Sequence, residues 1–329
     1  MAGRQSFAEF AERWLRDYVA ANNKPSEQIS KRWVLKGSLI PFFGPKAVGE
    51  ISVQDIERYK AALIRSGLSR KTVNNRLTVL RKCIHSAYDW LRLNGAPPKI
   101  QWLKCPPPRT DYLAPEECAS LLRHSHGLIA ELILAALRTG MRLGELKGLQ
   151  WESVDWPNHS LVVRHSYNDR VKELGSPKGN RERHIPIDID LYETLLARQQ
   201  MTGYVFLGAT GKPFTNDQLG PALSAVCKRA GMRKIGWHTL RHTFATHLAM
   251  IGTPLHVVQR LLGHASIEMT MRYAHVGPSA LRTAIDLANP RTASGADSGQ
   301  PAGNAWRERQ MAHASGASRK AEKAQQLGG

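Results

Sequence analysis

The segment 234–275 constrains the fold most strongly, because its helix-forming pattern is interrupted at fixed points. Over residues 237–251, apolar side chains recur at the spacing of one helical face: Leu240, Phe244, Leu248 and Ile251. Glycine and proline interrupt helices, so Gly252 and Pro254 predict the end of this helix and the start of a second at about 254–262. The segment is therefore expected to fold as short helices separated by tight turns.

A third short helix is predicted after the second. Gly263 marks the end of the second helix and places His264 just beyond it. Ser266 is a suitable cap for a helix at 267–273, because its hydroxyl can accept a hydrogen bond from a backbone N–H at the helix start. Tyr273 falls at the end of this helix, where we expect it to be partly exposed.

The same segment contains residues suited to the chemistry of a phosphodiester. His238 and Arg241 are three positions apart and share one face of a helix. Arginine remains protonated and its donors match a phosphate group, while histidine can hold or move a proton near neutral pH. Tyrosine can be a covalent nucleophile. Together with His264 and Tyr273, the pair predicts metal-free phosphoryl transfer through a phosphotyrosine.

These motifs resemble the tyrosine recombinase (phage integrase) family. The resemblance is carried by the H-x-x-R pair His238 and Arg241, the L-L-G-H sequence at 261–264, and Tyr273 nine positions after that histidine. It implies a site-specific DNA recombinase or integrase that cleaves and rejoins strands through a 3′-phosphotyrosine, with no metal, ATP or other cofactor. Integration or excision of a mobile element is the event that the resemblance favours.

The resemblance extends upstream to two further motifs. Arg142 in T-G-M-R-L-G-E-L matches the family's first catalytic arginine, and Glu145 matches the acid that supports it. Lys178 lies in a turn-rich stretch at 175–180, before G-N-R-E-R, and matches the lysine of the family's β-hairpin; Lys172 is the weaker candidate. Taken alone, Arg142 would suggest a surface ion pair with Glu145, and Lys178 an ordinary solvated lysine.

The resemblance also implies a role for each residue. Tyr273 attacks the scissile phosphate. The charged oxygens of the transition state are held by three side chains: Arg142, Arg241 and His264. His238 takes the proton of the tyrosine, and Lys178 gives a proton to the 5′-hydroxyl leaving group.

The order of patterns along the chain predicts a mainly α-helical fold with a small antiparallel β-sheet. Residues 6–95 carry helical periodicity, with Ser6, Ser26 and Ser69 predicted as helix caps, and a proline-rich, extended linker follows them. Strand patterns at 151–156 and 160–164 flank the turn at 157–159, and another follows at 184–187. The resemblance implies a helical core-binding domain and an α+β catalytic domain. We therefore divide the chain as follows: 1–96 core-type DNA-binding domain, 97–110 linker, 111–290 catalytic domain and 291–329 disordered tail.

The net charge favours a nucleic-acid partner. Lys and Arg number 46 against 27 Asp and Glu, which leaves a formal charge of +19. A long helix is predicted to begin after Ser69, and its non-apolar faces carry five basic residues: Arg70, Lys71, Arg76, Arg81 and Lys82. We expect them to lie along the phosphates of double-stranded DNA, although an ordinary solvated face is the plainer alternative.

Composition and resemblance together predict the setting in which the protein works. None of the four cysteines forms a C-x-x-C pair, and the chain has neither a secretory signal nor an apolar run of membrane length. We expect a cytoplasmic, nucleoid-associated protein with no membrane partner. The family implies a homo-tetramer on synapsed attachment or core-type sites, with a C-terminal helix at 279–287 docked on a neighbouring protomer. A directionality factor or a DNA-bending host protein stays open as a further partner.

Three other functions are compatible with parts of the pattern. A type IB topoisomerase uses the same chemistry but rejoins the same strand. A non-catalytic DNA-binding protein would keep the basic surface, although here all six catalytic positions are filled. A metal hydrolase is suggested by His238, His242 and His247, but the glutamate of H-E-x-x-H is missing, so we predict no metal site.

Overall fold

Apolar side chains form two large cores and one small cluster around Tyr273 in the computed structural model of the chain, which describes residues 5–106, 110–177, 182–208 and 210–274. The first core lies among the N-terminal helices and the second among the elements that follow the linker. Both belong to one compact unit that extends to Tyr273. Among the described residues, no helix is long and apolar enough to cross a lipid bilayer. The domain boundaries given above stay a prediction.

Serine caps define three of the N-terminal helices. The hydroxyl groups of Ser6, Ser52 and Ser69 each accept a hydrogen bond from the backbone in the first turn, which confirms the caps predicted at Ser6 and Ser69. The four principal helices are α1, Phe7–Trp14; α2, Pro25–Val34; α3, Val53–Arg65; and α4, Arg70–Leu91. Helices α1 and α2 continue through π-helical turns and short helical segments: Leu15–Val19 and Ala20–Asn22 after α1, and Leu35–Leu39 and Ile40–Phe43 after α2.

The linker is hydrogen-bonded to α3 and α4. Its described residues, 97–106 and 110, form neither helix nor strand, as its prolines predict. The Asn74 side chain bonds both backbone groups of Leu103, at 2.9 and 3.0 Å. Lys60 donates to the carbonyl oxygen of Gln101 at 2.9 Å. The first part of the linker is therefore fixed to the N-terminal helices.

Helices surround two small antiparallel sheets in the second half, which confirms the predicted mainly α fold with little strand. The helices are α5, Pro115–Arg123; α6, Gly127–Thr139; α7, Leu143–Lys147; α8, Ile189–Leu196; α9, Asn216–Arg229; α10, Trp237–Met250; α11, Leu255–Leu262; and α12, Glu268–Met271. The strands are β1, Val154–Asp155; β2, Ser160–Val163; β3, Ser166–Asn168; β4, Glu173–Gly175; and β5, Arg183–Pro186. Strand β2 lies between β1 and β5, whereas β3 pairs only with β4.

The β3–β4 hairpin differs from the predicted strand arrangement. Its turn lies at 169–172, so Lys172 is the lysine on this hairpin, and the predicted tip at 175–180 follows β4. The buried Lys147 of α7 is paired with Asp169 and anchors the turn. Lys178 lies outside the described residues, and so do the predicted C-terminal helix and tail.

Four local predictions are wrong. Helix α2 begins at Pro25 with Lys24 as its cap residue, so Ser26 lies in the first turn instead of capping it. Helix α12 begins at Glu268, and Ser266 does not cap it. Residues 151–153 form a 3-10 turn instead of strand. Ile251 lies just past α10 and is 78% exposed, because the apolar pattern continues beyond the helix end.

Candidate active site

Arg241 is a buried cation that is fixed by backbone carbonyls. It lies on α10, is only 3% exposed, and donates to the carbonyl oxygens of Gly140 at 2.7 Å and Leu262 at 2.8 Å. Both carbonyls stand at helix C-termini, where they lack a partner within the helix. Burial, and then repulsion by Arg142, lower the pKa of Arg241 to about 9, so the side chain stays protonated near neutral pH.

Gly140 makes this arrangement sterically possible. It ends α6 with φ +61°, a conformation that favours glycine. A Cβ atom at this position would stand 2.3 Å from the ring of Phe244 on α10. The absence of a side chain therefore lets α10 approach the carbonyl that Arg241 binds.

Glu145 holds two arginines at once. Its side chain is 1% exposed and accepts from Arg142 Nη1 at 2.8 Å and from the Arg183 guanidinium at 2.6 and 3.1 Å. Burial opposes ionisation of Glu145, but the hydrogen bond and charge of Arg183, with the charge of Arg142, outweigh it and lower the pKa of Glu145. The ionised carboxylate thus fixes Arg142 at the N-terminus of α7, where the resemblance places a supporting acid.

The turn after α11 brings the arginines together. Its three successive carbonyls each accept from a different guanidinium: Leu261 from Arg183 at 2.9 Å, Leu262 from Arg241 at 2.8 Å, and Gly263 from Arg142 at 3.4 Å. Gly263 has φ +64°, and atoms of Arg183 lie 3.0 Å from where its Cβ would stand. This glycine therefore permits both the helix end and the close approach of Arg183.

His264 follows this turn directly. Its Nδ1 lies 2.8 Å from Oγ1 of Thr270, which is fully buried. Burial, followed by the positive charges of Arg241 and Arg142, lowers the pKa of His264 to about 3. The imidazole is therefore neutral near pH 7. When the Thr270 hydroxyl donates to Nδ1, the ring proton is on Nε2 and is available to a phosphate oxygen.

Tyr273 is buried and hydrogen-bonded. It is 1% exposed, packs with Ala245, Val258 and Leu262, and its hydroxyl oxygen lies 2.6 Å from Nδ1 of His242. The expected partial exposure is wrong, because the residue folds back onto α10 and α11 instead of ending an exposed helix. Burial raises the pKa of Tyr273, although the charge of Arg241 opposes the shift.

Two of the predicted site residues, His238 and Lys178, have not yet been placed. His238 lies one turn before His242 on α10, and the two rings are 5.4 Å apart and nearly perpendicular. Lys178 lies outside the described residues, so it does not enter this geometry. Among the described residues, no group of three or more His, Cys, Asp or Glu side chains could hold a metal ion.

The five basic residues of α4 do not form one uniform face. Lys71, Arg81 and Lys82 are exposed. Arg70 is also exposed but donates to the carbonyl oxygen of Lys104 in the linker, at 3.2 Å. Arg76 donates to Ser38 Oγ at 2.8 Å and lies over the ring of Trp33, so its guanidinium already has partners among the N-terminal helices.

A cleft runs from Arg142 to the N-terminal helices. It has a volume of about 600 Å³ and is lined by the start of α2, by Arg142 and Gly144, and by the β3–β4 hairpin. Lys24 Nζ lies 3.2 Å from Ser176 Oγ, and Arg170 donates to Ser30 Oγ at 2.8 Å. Both halves of the chain therefore border the space beside the arginine cluster.

The comparison with family models decides the classification. Residues 111–279 match the model described as the phage integrase family. The chain belongs to the phage integrase family. This confirms the predicted membership of the tyrosine recombinases and the predicted class of enzyme, a tyrosine-type site-specific DNA recombinase.

Curated relatives cover most of this integrase-family chain. Tyrosine recombinase XerC of Staphylococcus carnosus (strain TM300) is 33% identical over 260 residues, which are 72% of this chain and 82% of that protein. Tyrosine recombinase XerC of Xylella fastidiosa (strain M23) is 31% identical over 280 residues, which are 78% and 88% of the two chains.

Solved structures share the fold. The Tn1549 transposon integrase in complex with a circular intermediate DNA aligns with a TM-score of 0.75 and 22% identity, and the match covers 86% of this chain and 99% of that chain. A lambda integrase tetramer bound to a Holliday junction aligns with a TM-score of 0.66 and 17% identity, over 82% and 77% of the two chains.

Of two further residues that contact the predicted site, Arg183 was not identified from the sequence and His242 was considered only as a metal ligand. Arg183 shares Glu145 with Arg142, and His242 contacts the hydroxyl of Tyr273. The sequence does carry a signal for each. Arg183 is the first residue of β5, five positions after Lys178 in the sequence. His242 follows Arg241 directly and lies one helical turn after His238. Arg183 is the last residue of G-N-R-E-R, and His242 is the last residue of H-T-L-R-H.

Proposed function

We propose that this recombinase cleaves and rejoins DNA through a covalent 3′-phosphotyrosine at Tyr273, in the integration or excision of a mobile element. The observation that carries the proposal is the turn at 261–264. There Arg142 and Arg241 are held by backbone carbonyls, His264 follows directly, and Tyr273 packs against Leu262. Fixed donors around a nucleophile are the arrangement that stabilises charge developing on a phosphate.

Each residue keeps the role that its chemistry suits. Tyr273 attacks the phosphorus in line, and the phosphate oxygens are held by Arg142, Arg241 and the Nε2–H of a neutral His264. Glu145 orients Arg142. His238 is assigned to proton transfer from the tyrosine, and Lys178 to protonation of the 5′-oxygen. Attack by a partner strand's 5′-hydroxyl on the phosphotyrosine reverses the step, so the covalent bond itself conserves the energy and ATP is not required.

The DNA is proposed to lie in the cleft between the N-terminal helices and the catalytic residues. Exposed Lys71, Arg81 and Lys82 on α4 would contact its phosphates, because exposed cations bind the backbone at little desolvation cost. Arg70 and Arg76 stay candidates from the sequence, although each already has a protein partner. This DNA-binding role would place the protein on the nucleoid in the cytoplasm.

Assembly on DNA is part of the same proposal. Strand exchange requires two duplexes and four nucleophiles, so we propose a homo-tetramer on synapsed sites. The tetrameric lambda integrase on a Holliday junction has the same fold and supports this stoichiometry. The docking helix at 279–287 lies outside the described residues, so it enters only as an expectation from the sequence.

A covalent-capture assay tests the function. Nicked duplexes made from DNA flanking the gene are incubated with the protein in EDTA, and denaturant-resistant protein–DNA adducts are counted. We expect adducts with wild type and none with Tyr273→Phe, which retains the packing of the ring but has no nucleophilic oxygen. DNA binding should be equal for both proteins. Adducts that persist in Tyr273→Phe would place the nucleophile elsewhere, and adducts that require added Mg²⁺ or Zn²⁺ would contradict metal-free chemistry.

A further inference from the structure

His242 is a titratable side chain that contacts the hydroxyl group of the proposed nucleophile. Its Nδ1 lies 2.6 Å from the Tyr273 hydroxyl oxygen, a short hydrogen bond between two side chains 31 positions apart. The backbone of His242 and the ring of Tyr273 are both fixed by the surrounding helices. His242 lies within α10, and the tyrosine ring packs among Ala245, Val258 and Leu262. The contact is therefore built by the packing of α10 and α11 and not by a mobile surface side chain.

The surroundings of His242 keep its imidazole neutral. Burial comes first, and the positive charges around it add to the effect, so the pKa of His242 falls to about 4. The groups that face it come from three segments: His238 and Arg241 on its own helix, Arg272 and Tyr273 after α12, and Asp111 before α5. His264, after α11, is also close enough to interact with it. A neutral imidazole has one nitrogen that accepts, and Nδ1 faces a hydroxyl that can donate.

We infer that His242 is a further catalytic residue, which accepts the Tyr273 proton as the phenol oxygen attacks the phosphorus. The inference rests on the proposed function and refines the assignment of His238. The O–H bond of Tyr273 breaks and an N–H bond forms at Nδ1 of His242, while an O–P bond forms and the bond from phosphorus to the 5′-oxygen breaks. The 5′-oxygen receives its proton from the separate acid assigned above. No oxidant, metal or co-reactant is needed.

His238 lies one helical turn before His242 on α10. Its ring lies edge-on to His242 at 5.4 Å, and it has other interactions of its own. The proposed base is therefore the second histidine of H-T-L-R-H, whose Nδ1 lies 2.6 Å from the Tyr273 hydroxyl oxygen. Negative charge on a bound phosphate would stabilise the protonated form of His242, because a nearby opposite charge raises the pKa of histidine.

The test separates proton acceptance from positioning. His242→Asn retains an acceptor oxygen near the place of Nδ1 but cannot take a proton, and His242→Ala removes both functions. Adduct formation is measured in single turnover on a nicked duplex that carries a 5′-bridging phosphorothiolate, whose thiolate leaves without a general acid. We expect both variants to lose about 10²-fold in rate with unchanged DNA binding. His256→Asn, an exposed histidine on α11, is the matched control and should equal wild type.

The pH profile gives a second readout that does not depend on any variant. With His242 neutral and acting as the base, the wild-type rate on the phosphorothiolate should be nearly flat between about pH 6.5 and 8.5. Without a base, it should rise roughly tenfold per pH unit as the phenol ionises, and the His242 variants should show that rise. A steep wild-type profile, or a His242→Asn rate within about threefold of wild type, would overturn the inference. Absence of any wild-type adduct would overturn the proposed function and this inference with it.

Discussion

The cations around the turn at 261–264 and those of helix α4 are held in opposite ways. Around the turn at 261–264, Arg142, Arg183 and Arg241 are largely buried, and each guanidinium is bonded to a backbone carbonyl. On α4, Lys71 and Lys82 are exposed. The first arrangement fixes charge in space before the substrate arrives. The second leaves charge at the surface, where it can reach a phosphate backbone, although Lys82 Nζ also lies 5.1 Å from the centroid of the Tyr18 ring.

The physical cost explains the difference. A buried charge loses its hydration and is tolerated only when hydrogen bonds and opposite charge replace it, as Glu145 does for two arginines. An exposed lysine keeps its water, so it needs no fixed partner and contributes little to stability. We therefore expect substitutions in the cluster to affect chemistry and folding, and substitutions on α4 to affect affinity alone.

Arg241→Ala is expected to have the largest effect. Loss of one fixed donor to the transition state should reduce adduct formation by about 10²–10³-fold. Two helix-end carbonyls would also lose their buried donor, which should cost roughly 1–3 kcal/mol of stability. Single-turnover capture and thermal unfolding measure the two effects. Arg65→Ala, at an exposed position on α3, is the control, and an equal loss there would contradict the distinction between buried and exposed cations.

Glu145→Gln should come next, and its effect should depend on pH. The pKa of Glu145 in the folded protein lies below its ordinary 4.5, so the carboxylate contributes stability above that value and loses it as pH falls through the lowered folded pKa. Removal of this charge between two buried arginines should lower the free energy of unfolding by about 3–5 kcal/mol at neutral pH. Urea unfolding between pH 7 and pH 3 measures the free energy of unfolding of wild type and variant. The difference between the two proteins should become smaller as the pH falls.

Glu12→Gln provides the comparison for Glu145. Glu12 pairs with Lys36 at 3.3 Å and is half exposed, so its loss should cost at most about 1 kcal/mol at any pH. A pH-independent difference for Glu145→Gln, or an equal cost for the two variants, would contradict the role of Glu145 as a buried counter-charge.

The smallest effect is expected on α4. The double substitution Lys71→Ala and Lys82→Ala should weaken DNA binding a few-fold, because two cations no longer neutralise phosphates. The slope of log affinity against log salt should fall by about one for each phosphate that is no longer neutralised. The rate of adduct formation at saturating DNA should stay as in wild type. Fluorescence anisotropy at several salt concentrations measures the slope. An unchanged slope would remove these lysines from the DNA interface.

Local patterns predicted the helices well where caps and apolar spacing agreed. Ser69 caps α4, whose apolar positions Val73, Leu77 and Ile84 are buried as expected. Prediction failed where local chemistry was ambiguous. Ser26 and Ser266 both resemble caps, but the helices start at Pro25, a residue suited to the first helical position, and at Glu268. The β3–β4 hairpin was missed because three-residue strands carry too few positions for alternation to be recognised.

The residue types of the site were predictable because phosphoryl transfer needs fixed cations, a proton carrier and a nucleophile. The resemblance placed Arg142, Arg241, His264 and Tyr273, and the fold brings these four residues to one turn. Their roles stay predictions. Tyr273 was expected to be partly exposed because its helix pattern is local, whereas its burial depends on α10 and α11.

The sequence by itself predicted which residues carry the chemistry, and it determined that the fold is mainly helical, since motif spacing and helical periodicity are properties of neighbouring residues. Only the tertiary structure decided that Arg183 shares Glu145 with Arg142, and that His242 contacts the hydroxyl of Tyr273. Those pairs lie tens of positions apart in the chain. Their contact depends on how separate helices and strands pack, which no local pattern encodes.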